Sequence, residues 1–224
     1  MDELSALLNI RTGVTAVIGG GGKTTLLQVL ARELSARGTV LLATSTHIRP
    51  MPGMPLLTRA TEADIRTTLQ RAPCACVGER AAEGKLTAPR LLFCALQALA
   101  DDVLVEADGA RRLPLKAHQP GEPVIPDCAN QTIAVVGLSA LGRPIREVAH
   151  RPELYARLCG CDTDAPVTPE MIARVLEAEG LHDRVFLNQL DDVDDTMAAR
   201  VAERLRCPVC AGSLRRGKYR CLSS

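Results

Sequence analysis

The spacing of apolar residues changes twice between residues 14 and 43. Val14 to Ile18 is short, β-prone and largely apolar, the pattern of a strand buried on both faces. From Lys23 to Arg37 the spacing becomes helical. Leu26, Leu27, Leu30 and Leu34 share one face, and Gly38 stands where a left-handed cap residue ends a helix. Thr39 to Ala43 is again a continuous apolar run. Strand, glycine turn, helix and strand within about 30 residues predict a βαβ unit of a parallel sheet. Downstream, the same reading predicts helices over 63–71, 90–100, 168–179 and 192–205. It predicts strands over 74–77, 103–107, 132–137 and 185–187, and a last apolar strand in Cys-Pro-Val-Cys-Ala at 207–211. Residues 1–224 are therefore expected to form one α/β domain, a three-layer sandwich with a mostly parallel sheet. Two stretches interrupt the alternation: the proline-broken loop HIRPMPGMP at 47–55, and RLPLKAHQPGEPVIPD at 112–127 with four prolines. The second is too long for a mere connector and reads as an inserted functional loop.

Composition adds exclusions. Aromatic residues make up 2% and Trp is absent, so the core must be aliphatic. A net charge of +1 argues against nucleic-acid and membrane-surface partners, which call for a basic excess. No apolar run approaches 18 residues, and no charged-then-apolar leader opens the chain. The odd count of nine cysteines fits a reduced, cytoplasmic setting. Lysine occurs only at 23, 85, 116 and 218 in a chain otherwise rich in arginine, and two of the four lie in motifs.

The first motif is Gly19-Gly20-Gly21-Gly22-Lys23-Thr24-Thr25. Glycines let backbone N–H groups approach a phosphate chain closely, and the helix that follows adds its unpaired donors and positive end. Lys23 is expected at the β and γ phosphates, Thr24 on Mg²⁺, and Thr25 near the α phosphate. Val17 stands where the standard P-loop pattern has its first glycine, which leaves a glycine turn without ligand as the alternative. Glu106 and Asp108 end the strand at 103–107, where carboxylates would hold Mg²⁺ and orient an attacking water. With Lys23 they are the expected catalytic residues; the alternative is a solvated carboxylate pair. Asn188 and Asp191 in Asn-Gln-Leu-Asp follow the strand at 185–187 and match a guanine-reading box except at Gln189, or form an ordinary turn. Thr44 and His47 at the end of the second strand, and Arg111 and Lys116 after Glu-Ala-Asp-Gly, are candidate contacts for an anionic substrate, or polar and basic loops. Cys207, Cys210 and Cys221 could hold zinc with a fourth ligand or handle sulfur or selenium; Cys-x-x-C alone is weak evidence.

With these residues placed, the sequence resembles the YqeC family, described as accessory proteins of selenium-dependent molybdenum hydroxylases. The matching text is VIGGGGKTTLL, LLATSTHIRP, VEADGARRLPLKA, EPVIP, VGLSALGRPI, HRPE and LNQLDD, spread over roughly residues 14–192. EADGARRLPLK with EPVIP is the most specific part. The resemblance implies a P-loop NTPase-like fold and a maturation role around the molybdenum-pterin cofactor of a client hydroxylase. The chain departs at Gly121, where a histidine is usual before EPVIP, with His118 three residues earlier, and at Gln189. The expectation is a factor dependent on Mg²⁺ with GTP or ATP, GTP favoured, that acts on or delivers the molybdenum-pterin. Two alternatives stay open: a non-catalytic carrier or chaperone that uses nucleotide as a switch, and a molybdopterin nucleotidyltransferase.

Overall fold

A nine-stranded sheet organises the computed structural model, which describes residues 3–191 and 193–223. Its strands are β1 (Gly13–Gly19), β2 (Val40–Thr44), β3 (Leu56–Leu57), β4 (Cys74–Val77), β5 (Asp102–Glu106), β6 (Ala129–Gly137), β7 (Arg184–Asn188), β8 (Val209–Ser213) and β9 (Lys218–Ser223). In space they run β9-β8-β7-β6-β1-β5-β2-β4-β3. Neighbours are parallel except β9, which pairs antiparallel with β8. The helices are α1 (Leu4–Leu7), α2 (Lys23–Leu34), α3 (Glu62–Leu69), α4 (Phe93–Gln97), α5 (Ile145–Val148), α6 (Pro152–Cys159), α7 (Pro169–Glu179) and α8 (Asp195–Ala202).

Alternation along β1 sorts the core into the three layers the sequence predicts. Val17 faces α1 and α2, packing with Leu4, Leu26, Leu27 and Leu30. Ala16 and Ile18 point the other way, toward Ile145, Tyr155, Ile172 and Val201 of α5 to α8. Val14, on that same face, joins Ile65 and Leu96 of α3 and α4. All seven residues of β1 are buried, as a strand covered on both faces requires. Each fully buried Leu, Ile or Phe here contributes about 1.5–3 kcal/mol over the exposed state.

Several expected boundaries shift. α2 ends at Leu34, and the chain reaches Gly38 through a turn. The helix expected over 90–100 shrinks to Phe93–Gln97. Leu92 opens it without a capping side chain and is 72% exposed, and the chain must turn at Ala98 to enter β5 at Asp102. α8 begins at Asp195, capped by Asp194; Asp192, its expected start, lies outside the described residues. α7 matches its signals: Thr168 accepts from the Met171 N–H, Pro169 opens the first turn, and Gly180 at φ 57° ends it. No helix among the described residues is long and apolar enough to cross a membrane. β1 sits at the centre of the sheet, so its carboxyl end carries the glycine run into the cleft above the strand ends, where open parallel sheets bind ligands.

Candidate functional site

The glycine loop is held tightly by the protein itself. The Gly19 N–H donates to Asp108 Oδ2 at 2.9 Å, Gly20 to the Val135 carbonyl at 2.9 Å, and Gly21 to the Leu113 carbonyl at 3.0 Å. A Cβ at Gly20 would lie 2.6 Å from the Leu113 oxygen. At Gly22, with φ 124°, it would lie 2.6 Å from Asn188 Nδ2. The glycines also let the loop pass under residues 113–114 and beside β6 and β7. The donors that face outward belong to the first turn of α2. Gly22 is its N-cap, and no side chain caps it.

Behind the loop lies a buried charge network centred on Asp108, which has no exposed surface. Its Oδ1 is 2.9 Å from Lys23 Nζ; its Oδ2 is 3.2 Å from Lys116 Nζ and 2.6 Å from His118 Nε2. Lys23 also donates to the Gly19 carbonyl at 2.6 Å. Lys116 reaches the Gly109 carbonyl at 2.7 Å and Glu122 Oε2 at 3.0 Å. Glu122 forms a two-pronged pair with Arg151, both contacts 2.7 Å. His118 Nδ1 is 2.8 Å from Glu179 Oε2 on α7. Burial alone would lower the His118 pKa, but hydrogen bonds to Asp108 and Glu179 outweigh it and raise it, and a carboxylate oxygen facing each ring nitrogen favours the protonated ring. Burial likewise opposes ionisation of Asp108, and His118, Lys23, Lys116 and the Gly19 N–H overcome it and lower its pKa. The Arg151 hydrogen bond, against the effect of burial, brings Glu122 down to about 2.

Glu106 stands apart from this. Burial pushes its pKa up, only partly offset by Lys23 at 3.9 Å and by the Thr24 hydroxyl, which donates to Oε2 at 3.0 Å. Glu106 and Thr24 line a cavity of about 620 Å³ together with Gly21, Gly22, Lys23 and Thr25. His47 and Arg111 also line it, whereas Asp108, Thr44 and Lys116 do not. Thr44 is buried and structural, its hydroxyl donating to the Glu106 carbonyl at 2.9 Å to join the ends of β2 and β5.

A second cavity, of about 830 Å³, opens on the other side of the loop and shares Gly22, Thr25 and Gln189 with the first. Asn188 and Asp191 line it. The Asn188 amide is a brace: it donates to the Gly21 carbonyl at 2.6 Å and accepts from the Leu214 N–H at 3.0 Å. Asp191 Oδ1 accepts from the Ser213 hydroxyl at 2.8 Å and sits 3.0 Å from Arg216 Nε. Gln189, at φ 64°, accepts from the Ser139 hydroxyl at 2.6 Å.

Sequence reasoning placed the loop, Lys23 and both acids together, but missed Glu122, Arg151 and Glu179 and gave His118 no role. The Pro-rich loop at 112–127 carries two of these, and its Leu115–Lys116 strand pairs with Ala149–His150. The zinc reading gains no support. Cys210 and Cys221 face each other across β8 and β9 with Sγ atoms 3.1 Å apart, and among the described residues no group of three His, Cys, Asp or Glu is placed to hold a metal.

A central parallel strand that turns through glycines into a helix, with acids at the end of the adjacent strand, defines a mostly parallel α/β sandwich with its cleft above the carboxyl ends of the strands. The family model described as YqeC protein matches residues 15–153, and the chain belongs to the YqeC family. It is 32% identical over 205 residues to the Uncharacterized protein YqeC of Escherichia coli (strain K12), covering 84% of this chain and 80% of that one. No solved structure gives a significant match.

Proposed function

We propose that the protein is a nucleotide-dependent accessory factor that binds Mg²⁺ with GTP or ATP, GTP favoured, at the glycine loop, and that it acts on or delivers the molybdenum-pterin cofactor of a selenium-containing molybdenum hydroxylase. One observation carries the nucleotide part. The uncapped first turn of α2, Lys23 and the Thr24–Glu106 oxygen pair all meet at one cavity of a size that suits a small ligand. Lys23 would exchange its contacts with Asp108 and the Gly19 carbonyl for phosphate oxygens. Asp108, fixed from behind by Lys116 and His118, keeps the lysine poised.

A hard dication fits the donor set at Thr24 and Glu106. Magnesium takes one or two protein oxygens, several waters and phosphate oxygens rather than a full protein cage. Bound there, it would neutralise charge on the transferring phosphoryl group. The Glu106 carboxylate would also orient an attacking water beside the dication. Asp108 reads as the positioning residue of this pair. Asn188 holds the loop, and Asp191 is the acceptor proposed for guanine at the second cavity. The molybdenum and selenium part rests on the family resemblance, and the client hydroxylase on that alone. The cytoplasm, where its nine thiols would stay reduced, is the proposed compartment.

Turnover assays with Mg·GTP and Mg·ATP test this reading. Phosphate release that falls in Glu106→Gln supports a hydrolysing factor. Pyrophosphate release with a nucleotidylated pterin favours a nucleotidyltransferase, and tight binding without turnover a carrier. Absence of nucleotide binding would refute it.

A further inference from the structure

The cavity beside α2 carries cations well beyond the lysine at the helix start. Besides Lys23, which is matched by Asp108, its walls carry Arg49, Lys85, Arg111 and Arg112 against one carboxylate, Glu106. These four cations come from two walls. Ile48 and Leu86 form an antiparallel bridge with both hydrogen bonds made, at 3.0 and 2.7 Å, and both side chains are buried. Arg49 and Lys85 are the next residues on either side of that bridge. Like charges facing each other across a strand pair are destabilising unless something anionic lies between or above them. Glu83, 2.7 Å from Lys85 and close enough for Arg49 to help hold its carboxyl ionised, is an exposed partner that the two cations share.

On the other wall, Arg111 and Arg112 are consecutive and both left-handed, at φ 49° and 63°. A non-glycine residue held in that region costs on the order of 1–3 kcal/mol, a strain that gathers at functional sites. Among the described residues, neither Arg49, Arg111 nor Arg112 has a carboxylate within salt-bridge distance; the described ion pairs of this region go to Lys23, Lys85 and Lys116. Arg111 and Arg112 thus lack an acidic partner among the described residues, and Arg49 and Lys85 share one exposed glutamate. Guanidinium forks match the geometry of a phosphate dianion.

We infer that Arg49, Lys85, Arg111 and Arg112 form a second anion subsite in the same cavity, facing the glycine loop, which takes the phosphate monoester of a second substrate while the nucleotide is bound. The inference rests on the nucleotide reading above and gives it a substrate class. It also replaces Lys116, which is enclosed with Asp108, by Arg49, Lys85 and Arg112 as the residues that meet that substrate.

Calorimetric titration of inorganic phosphate tests it, using protein saturated with Mg²⁺ and the β,γ-imido analogue of GTP. A saturable phosphate site is expected on the loaded wild type. Arg49→Ala/Lys85→Ala and, separately, Arg112→Ala should each weaken it at least about tenfold, the loss of one charge-assisted contact or more, with a smaller effect on nucleotide affinity. These side chains are exposed or half-buried, and unchanged unfolding midpoints show that the variants fold. No phosphate bound by the loaded wild type, or binding indifferent to both variants, overturns the subsite. If the wild type binds no nucleotide, the functional reading fails by itself. The same titration on nucleotide-free Lys23→Met protein then decides the subsite: binding that falls in the added Arg49→Ala/Lys85→Ala background upholds it, and no binding refutes it.

Discussion

Replacing Asp108 by asparagine preserves the side-chain shape and removes the charge on which Lys23, Lys116, His118 and the Gly19 N–H converge, at 2.9, 3.2, 2.6 and 2.9 Å. Removing one member of a buried ion pair typically costs about 3–5 kcal/mol, because the other is left without compensation. Here Lys116 retains Glu122 and His118 retains Glu179. The expected loss for Asp108→Asn is therefore near the low end, about 3 kcal/mol. With a urea dependence of about 2–3 kcal/mol/M, the unfolding midpoint should fall by roughly 1–1.5 M at pH 7, followed by circular dichroism. Glu147→Gln is the control, since its exposed partner Arg143 lies 3.4 Å away in a pair worth about 0.5 kcal/mol or less.

The pH profile gives a second readout. Asp108 has a lowered pKa in the fold, so its contribution is full above its ordinary value of 3.8 and is lost as pH falls through the folded value. The wild type should show that acid limb, and Asp108→Asn should show a shallower one, to which Glu122 still contributes. His118 is raised above 6.5, so its contribution is full below that and fades as pH rises through the folded value. In Asp108→Asn, which makes one of its two acceptors neutral, that alkaline limb should move to lower pH. An Asp108→Asn protein with the wild-type midpoint and both limbs intact would refute the network as the brace of the loop.

Other outcomes follow from the same geometry. Asn188→Ala strands the Gly21 carbonyl and the Leu214 N–H, so urea unfolding should report a loss of about 1–3 kcal/mol and nucleotide titration a weaker site. Gly20→Ala drives a methyl group against the backbone at Leu113 and Pro114, so nucleotide affinity should drop sharply while far-ultraviolet dichroism stays near wild type; unchanged affinity would mean the loop is free to move. Oxidised glutathione should join Cys210 to Cys221, whose sulfurs are 3.1 Å apart, with a mass loss of about 2 Da by intact-protein mass spectrometry. A disulfide mapped between other cysteines would contradict that pairing.

The β1–α2–β2 unit was legible because a glycine run separates two clear periodicities, and Lys23 starts its helix where the pattern changes. α4 was overread because its apolar residues run all round the helix, which fixes neither a face nor an end. β9 left no mark: Lys218 and Arg220 give it the charged character of a protected edge strand rather than an alternating one. The cluster of Gly19, Lys23 and Glu106 could be foreseen from motif spacing. The brace behind it could not, since His118 meets Glu179 across 61 positions and Gly19 meets Asp108 across 89. Such pairs become neighbours only when α7 packs on the sheet beside the Pro-rich loop, and no local pattern announces them. What the glycines also accommodate was hidden for a related reason: the backbone they pass close to belongs to residues 113–114 and to β6, remote in sequence.

The central claim is that Lys23 and the open end of α2 hold a nucleotide's phosphates, and calorimetric titration of Mg·GTP into wild type and Lys23→Ala meets it most directly. One site per chain, weakened at least about tenfold in the variant, is the predicted result. Equal affinity in the two proteins, or no heat of binding in the wild type with either GTP or ATP, would contradict it.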